Sequence, residues 1–134
     1  MKLTTKSEYA LLALVYLARH EDGGNISAET IAKAQGIPSK FLEQIMLTMK
    51  RARILSSAKG QHGGYSLAMK PDQIKLADVI RLFDGALAPI GSASEYFYET
   101  TPIEKERKLT SVFIEIRNYI SRTLENTTIA DVID

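Results

Sequence analysis

Lys59, Gln61 and His62 alternate with Gly60, Gly63 and Gly64 in the stretch SSAKGQHGGYSL, residues 56–67. Glycine beside lysine and histidine could cradle a phosphate or serve a general base, so this stretch sets the first chemical question. A nucleotide-binding loop needs glycines that follow a buried strand and open into a helix, with Ser or Thr after the lysine. Here Lys59 is followed by Gly60, and the glycines lead into YSLA. That order fits a β-hairpin: ILSSA (54–58) as one strand, KGQHGG (59–64) as the loop and YSLA (65–68) as the return. Glycines supply the positive φ that its tip requires. No second histidine or carboxylate cluster lies near His62 in sequence, so it reads equally as an idle surface side chain.

Other reaction chemistries fare no better. Cysteine is absent, which removes disulfides, thiolate nucleophiles and cysteine-ligated zinc or iron–sulfur centres. With only His20 and His62 and with scattered carboxylates, neither a metal set nor a paired acid and base forms, so no enzyme, no metal and no cofactor are expected. No run approaches the ~20 apolar residues of a membrane span. The start MKLTTKSEYALLALVYLA lacks the small-residue cleavage site of a secretory signal, and a cytoplasmic chain with no membrane partner is expected.

The net charge of +1 conceals two halves. Residues 1–70 carry ten Lys/Arg against five Asp/Glu, whereas residues 71–134 carry seven against eleven, giving nets of +5 and −4. Within 40–62, Lys40, Lys50, Arg51, Arg53 and Lys59 face Glu43 alone. This asymmetry suggests that the N-terminal half meets a polyanion.

The elements that would position these charges are short helices with strong stop signals. Thr5 with Glu8 three residues later forms a capping box that opens a first helix, and EDGGN (21–25) ends it. Ser27 caps a second helix closed by Gly36, and Ser39 is the expected cap of a third. Two short helices joined by a glycine-containing turn have the form of a helix-turn-helix. At 100° per residue, Phe41, Leu42, Ile45, Met46 and Met49 form the buried side of the third helix, and Lys40, Glu43, Gln44, Leu47 and Arg51 project from the other. Such a second helix lies in the DNA major groove, where Gln44 can pair with adenine and Glu43 can accept from the cytosine amino group. A hairpin directly after it is a wing, placing Lys59, Gln61 and His62 on sugar-phosphate or in the minor groove.

KLTTKSEYALLALVYLA, GIPSKFLEQIM, SSAKGQHGGYSLA and LENTTIADVID together resemble the Rrf family of bacterial winged-helix regulators, the family of IscR, NsrR and CymR. The likeness covers nearly the whole chain. It implies a homodimeric DNA-binding transcription factor, usually a repressor, acting on partly palindromic promoter sites of double-stranded DNA. It carries over Lys40, Glu43 and Gln44 on the recognition helix, Lys59 in the wing, and Thr4, Lys6 and Tyr9 near the DNA backbone, while Ser39, Arg51, Gln61 and His62 join the DNA-binding candidates from the helix and hairpin reading above. The expected fold is mainly α with a small β-wing: a winged helix-turn-helix over 1–85, a loop over 86–101, and a dimerisation helix with a C-terminal turn over 102–134.

Thr101, Pro102 and Glu104 give a clear helix start, and an apolar stripe of Leu109, Val112, Phe113, Ile116, Tyr119, Ile120 and Leu124 runs on to about Asn126. That predicts a helix of about 36 Å. By resemblance, it crosses its twin in the dimer. Cluster-binding members of the family carry three cysteines in the preceding loop; here LAPIGSASEYFYETTPIEKER has none, which implies a cluster-free member most like the CymR type. A small-molecule effector near Tyr96, Phe97 and Tyr98, or a partner metabolic enzyme, would then supply the signal. Such a trio more often simply packs a loop onto the core, and a winged helix that docks a protein in place of DNA is the rival reading.

Overall fold

In the computed structural model, which describes residues 2–134, the elements run α1 (Thr5–Arg19), α2 (Ala28–Gln35), α3 (Ser39–Arg51), β1 (Leu55–Ala58), β2 (Gly64–Leu67), α4 (Leu76–Asp84) and α5 (Arg107–Glu125). Helix α1 is central. Its Ala10, Ala13, Leu14, Leu17 and Ala18 are buried, and α2, α3 and α4 all pack on it. Three alanines in that stripe let the neighbouring helices approach closely.

Helix starts and stops show where local signals prevailed. Thr4, not Thr5, caps α1, its hydroxyl accepting from Ser7 N at 3.3 Å. The third helical position is therefore Ser7, and Glu8 falls one residue too late to close a capping box. Ser27 Oγ accepts from Thr30 N at 3.1 Å, and Gly36 closes α2 at φ 69°. Ser39 does not cap α3. Pro38, at φ −61° and ψ 125°, turns the chain one residue earlier, and Ser39 becomes the first helical residue.

The end of α3 carries no glycine. Ile54 N donates to Met49 O (3.0 Å) and Arg53 N to Lys50 O (2.9 Å), the paired bonds of a Schellman turn. Its left-handed position is held by Arg53, at φ 65°. Buried Ile54 and Met49 provide the apolar contact that accompanies such a turn.

The hairpin forms with Leu55 opposite Leu67, Ser56 opposite Ser66, Ser57 opposite Tyr65 and Ala58 opposite Gly64. It is shifted slightly from expectation, since Ile54 and Ala68 fall outside the strands and Gly64 falls inside. Tyr65 also exchanges both backbone bonds with Ile26, at 2.7 and 2.8 Å, which pins the wing to the segment before α2. Gly64 makes this approach feasible: at φ 132°, a Cβ there would lie 2.5 Å from the Ile26 carbonyl carbon.

Beyond α4 the long-helix expectation needs correction. Pro102–Lys105 form a 3-10 turn, Glu106 is extended at φ −94° and ψ 90°, and α5 begins only at Arg107. The Thr101 hydroxyl pairs with Ser92 Oγ at 2.8 Å and makes no cap bond, while Thr110 Oγ donates to Ile103 O at 2.9 Å. The 19 residues of α5 span about 28 Å. Its apolar residues divide between two faces. Ile120 and Leu124 pack on Ala77, Ile80 and Leu87 of the same chain, Phe113 is half-buried, and Leu109, Val112, Ile116 and Tyr119 are exposed. After α5 the chain returns to the core, where Leu76 N donates to Thr127 O and Ile129 N to Ile74 O, both at 2.9 Å.

Candidate nucleic-acid interface

Helix α3 buries Leu42, Ile45, Met46 and Met49, and it exposes Ser39, Lys40, Glu43, Gln44, Leu47 and Arg51. The amphipathic division expected from sequence is the one observed, except that Phe41 sits at the boundary, half-buried. Its ring meets Tyr9 of α1 edge-on, 5.6 Å between centroids at 86°. Tyr9 is thus half-buried packing between α1 and α3, with its ring edge-to-face as aromatic quadrupoles prefer.

The start of α1 adjoins this face. Lys6 is exposed and shares with Gln44 a cleft of about 200 Å³, floored by Phe41, Ile45, Leu82 and Phe83. The first turn of α1 offers unpaired backbone N–H groups, and its partial positive charge adds to that of Lys6. Thr4 is held from a distance in sequence: its backbone N–H donates to the Asp84 carboxylate at 3.1 Å, and its hydroxyl donates to the other oxygen. Partial burial pushes the Asp84 carboxyl upward, but hydrogen bonding from Thr4, with the nearby Ser7 hydroxyl, outweighs it and holds the group below the ordinary aspartate value.

The wing follows α3 directly, and its first strand packs against that helix. Lys59, Gln61 and His62 are all exposed at its tip, and Asn25 Nδ2 donates to His62 O at 3.4 Å. At its base, burial raises the Tyr65 hydroxyl pKa, with a further contribution from the negative charge of Glu43. Glu43 therefore sits close enough to the wing for the two to feel each other electrically. Sequence reasoning counted Arg53 in the basic cluster but missed its left-handed turn, which ordinarily calls for glycine. It missed the role of Asp84 because that partner of Thr4 lies 80 positions away.

The Rrf2 family profile, described as an iron-dependent transcriptional regulator, matches residues 3–134. The HTH-type transcriptional regulator CymR of Bacillus subtilis is 30% identical over 98% of this chain and 89% of that protein. The solved structure of CymR, titled the global cysteine regulator of B. subtilis, superposes with a TM-score of 0.79, covering 98% of this chain and 95% of that one at 30% identity. T. potens IscR superposes at 0.75, with 30% identity over 98% and 85% of the two chains. These relatives are named as regulators, not as enzymes. The mainly helical fold with a two-stranded wing is the winged-helix architecture they share.

The residues present do not fit the iron in the family description. The chain has no cysteine, and among the described residues no three His, Asp or Glu side chains converge where a metal ion could sit. Thioethers and isolated carboxylates do not make the sulfur-rich shell of an iron–sulfur cluster. Among the described residues no helix is long and apolar enough to cross a membrane. With the sequence match running almost end to end and the wing, helix pair and α5 in the arrangement of its solved relatives, the chain belongs to the Rrf2 family of transcriptional regulators.

Proposed function

We propose that this protein is a cytoplasmic, homodimeric repressor that binds partly palindromic promoter DNA without an iron–sulfur cluster. The observation that carries the reading is the exposed polar face of α3, whose Gln44 shares a cleft with Lys6 of α1 and which is followed by a wing with Lys59 exposed at its tip. Lys40, Glu43 and Gln44, introduced by Ser39, read base edges in the major groove. Arg51, Lys6, Thr4 and Lys59 meet phosphates, Gln61 and His62 follow the backbone or minor groove, and Tyr9 supports the α1 contact from its half-buried position. In this reading residues 1–85 hold the DNA-binding machinery, 86–101 the signalling loop, and 102–134 the dimerisation helix.

Dimerisation is supported by the exposed stripe of Leu109, Val112, Ile116 and Tyr119 on α5, the last with 64% of its surface exposed. Spacings of three and four residues align these four along one helical seam. Signal input comes from a small-molecule effector or a partner enzyme, because the donors for a cluster are absent.

Binding to promoter DNA selected from genomic fragments, titrated over salt, tests the reading. Neutralising about six to eight phosphates per dimer predicts a log–log slope of roughly −5 to −7. A slope near zero on the best site would refute it.

A further inference from the structure

Two arginines outside the DNA-facing surface are covered by the 86–101 loop. Arg81 of α4 and Arg117 of α5 keep only 16% and 20% of their side chains exposed. Arg81 is fully engaged: it pairs with Glu125, which Lys75 also approaches at 3.6 Å, and the Tyr96 ring covers its guanidinium at 4.8 Å. Arg117 is not. Among the described residues its sole carboxylate partner is Glu95, 3.4 Å from Nη1 with a half-exposed side chain, and its buried Nε has no hydrogen-bond partner.

A guanidinium binds a carboxylate best through two parallel N–H bonds. Glu95 reaches one terminal nitrogen at the long end of hydrogen-bond range and leaves Nε unmet, so a buried donor goes unsatisfied. Around it converge Arg81, Ser94, Tyr96, Phe97, Leu87 and Ser121, on a cavity of about 10 Å³, the room of a single water. The cavity cannot take a ligand beside Glu95, but it can take one in place of the Glu95 carboxylate.

We propose that Arg117, with Arg81 beside it, is a receptor for the carboxylate of a small metabolite, and that Glu95 is a built-in competitor occupying that position. A free carboxylate engages Nε and a terminal nitrogen together, swings Glu95 into solvent and shifts the loop. The loop joins the end of α4, where Asp84 holds Thr4, so the displacement reaches the start of α1. Only this last step rests on the proposed DNA-binding function; ligand binding stands apart from it.

The experiment uses the whole protein, free of DNA, titrated with sodium acetate against sodium chloride at matched ionic strength. Calorimetry and the Arg117 Nε–Hε resonance provide the readouts. Acetate is expected to move that resonance, and Glu95→Gln is expected to bind acetate roughly fivefold more tightly, the equivalent of one weak ion pair that no longer has to be broken. Arg117→Lys, which keeps the charge but loses the paired donors, should not respond. Equal behaviour of acetate and chloride, or no gain in Glu95→Gln, would overturn the proposal, and tighter binding of inorganic phosphate than of acetate would overturn the carboxylate assignment. Loss of DNA binding with acetate binding intact would count against the promoter reading alone.

Discussion

Asp84 completes from 80 positions away the capping box that the first turn of α1 lacks. Thr4 is the cap, and the third helical position, where a glutamate would reach back to the Thr4 N–H, holds Ser7 instead. Asp84, the last residue of α4, takes the glutamate's place and receives both the Thr4 N–H and its hydroxyl. One carboxylate thereby fixes the helix start that carries Lys6 and ties it to the entrance of the 86–101 loop. Asp84→Ala should cost about 1 kcal/mol of stability, as cap losses do. DNA affinity should fall with it, and Asp84→Asn, which keeps an acceptor oxygen, should restore part of both. Thermal melts and binding isotherms on the three proteins decide the matter.

Acid sensitivity follows from two carboxyls. Glu125 is held below the ordinary glutamate value first by the Arg81 hydrogen bond, against partial burial, with help from the charges of Arg81 and Lys75; Asp84 is also depressed. Both bind protons less readily folded than unfolded. The stability they confer is complete above their unfolded values of about 4 and is lost as the pH falls through that point towards the folded values. Denaturant melts between pH 6 and 3 should show this decline, and a variant carrying Asp84→Asn and Glu125→Gln should show a flatter one.

Two glycines in the wing should respond differently to alanine. At Gly60, φ is 98° with open space around it, so Gly60→Ala pays only a backbone cost of roughly 1–2 kcal/mol. At Gly64 the new methyl would also drive into the Ile26 backbone, 2.5 Å away, for a total of roughly 2–5 kcal/mol. Chemical shifts of Ile26 and Tyr65 should report the wing parting from its anchor in Gly64→Ala alone.

Arg53 holds a left-handed conformation that costs a non-glycine residue about 1 kcal/mol. Arg53→Gly should therefore raise the melting temperature. Because it removes a cation at the junction of α3 and the wing, it should also weaken DNA binding and reduce the salt slope. A variant both more stable and unchanged in affinity would show that this arginine contributes nothing to the interface.

Glutamates at Ile116 and Tyr119 should yield monomers, since an unpaired charge buried at a helix seam costs several kcal/mol. Charges at Ile120 or Leu124 should instead unfold the chain, because those side chains rest on Ala77, Ile80 and Leu87 within one protomer. Sedimentation separates the two outcomes.

The features legible in the sequence were those set by neighbours a few residues apart. Ser27 and Gly36 bound α2 as expected, and the apolar period of α3 identified its buried face. Thr101 and Pro102 carried an equally good local signature, yet the Thr101 hydroxyl was taken by Ser92 and the α-helix began later. On α5 the apolar period was visible, but its stripe was wider than one face, so spacing alone could not divide inward from outward residues. The glycines around His62 announced a turn, whereas the requirement at Gly64 came from Ile26, which no local window contains. The charge of Arg53 was legible but its left-handed turn was not, and the Thr4–Asp84 contact was silent because only the assembled chain brings the two together.

Ile129 is fully buried in the cluster formed by residues of α1, α2, α3 and α4, and its backbone bonds to Ile74. The segment after α5 is therefore a structural component of the DNA-facing half, not an appendage to it. Heat and denaturant should find one transition, with calorimetric and van't Hoff enthalpies in agreement. Closing the chain between Ile74 and Ile129, and again between Thr4 and Asp84, requires long loops to be paid for before their contacts form. Refolding should accordingly be slower than a helical chain with mainly local contacts would allow, and the amide of Ile129 should exchange with solvent only through global unfolding.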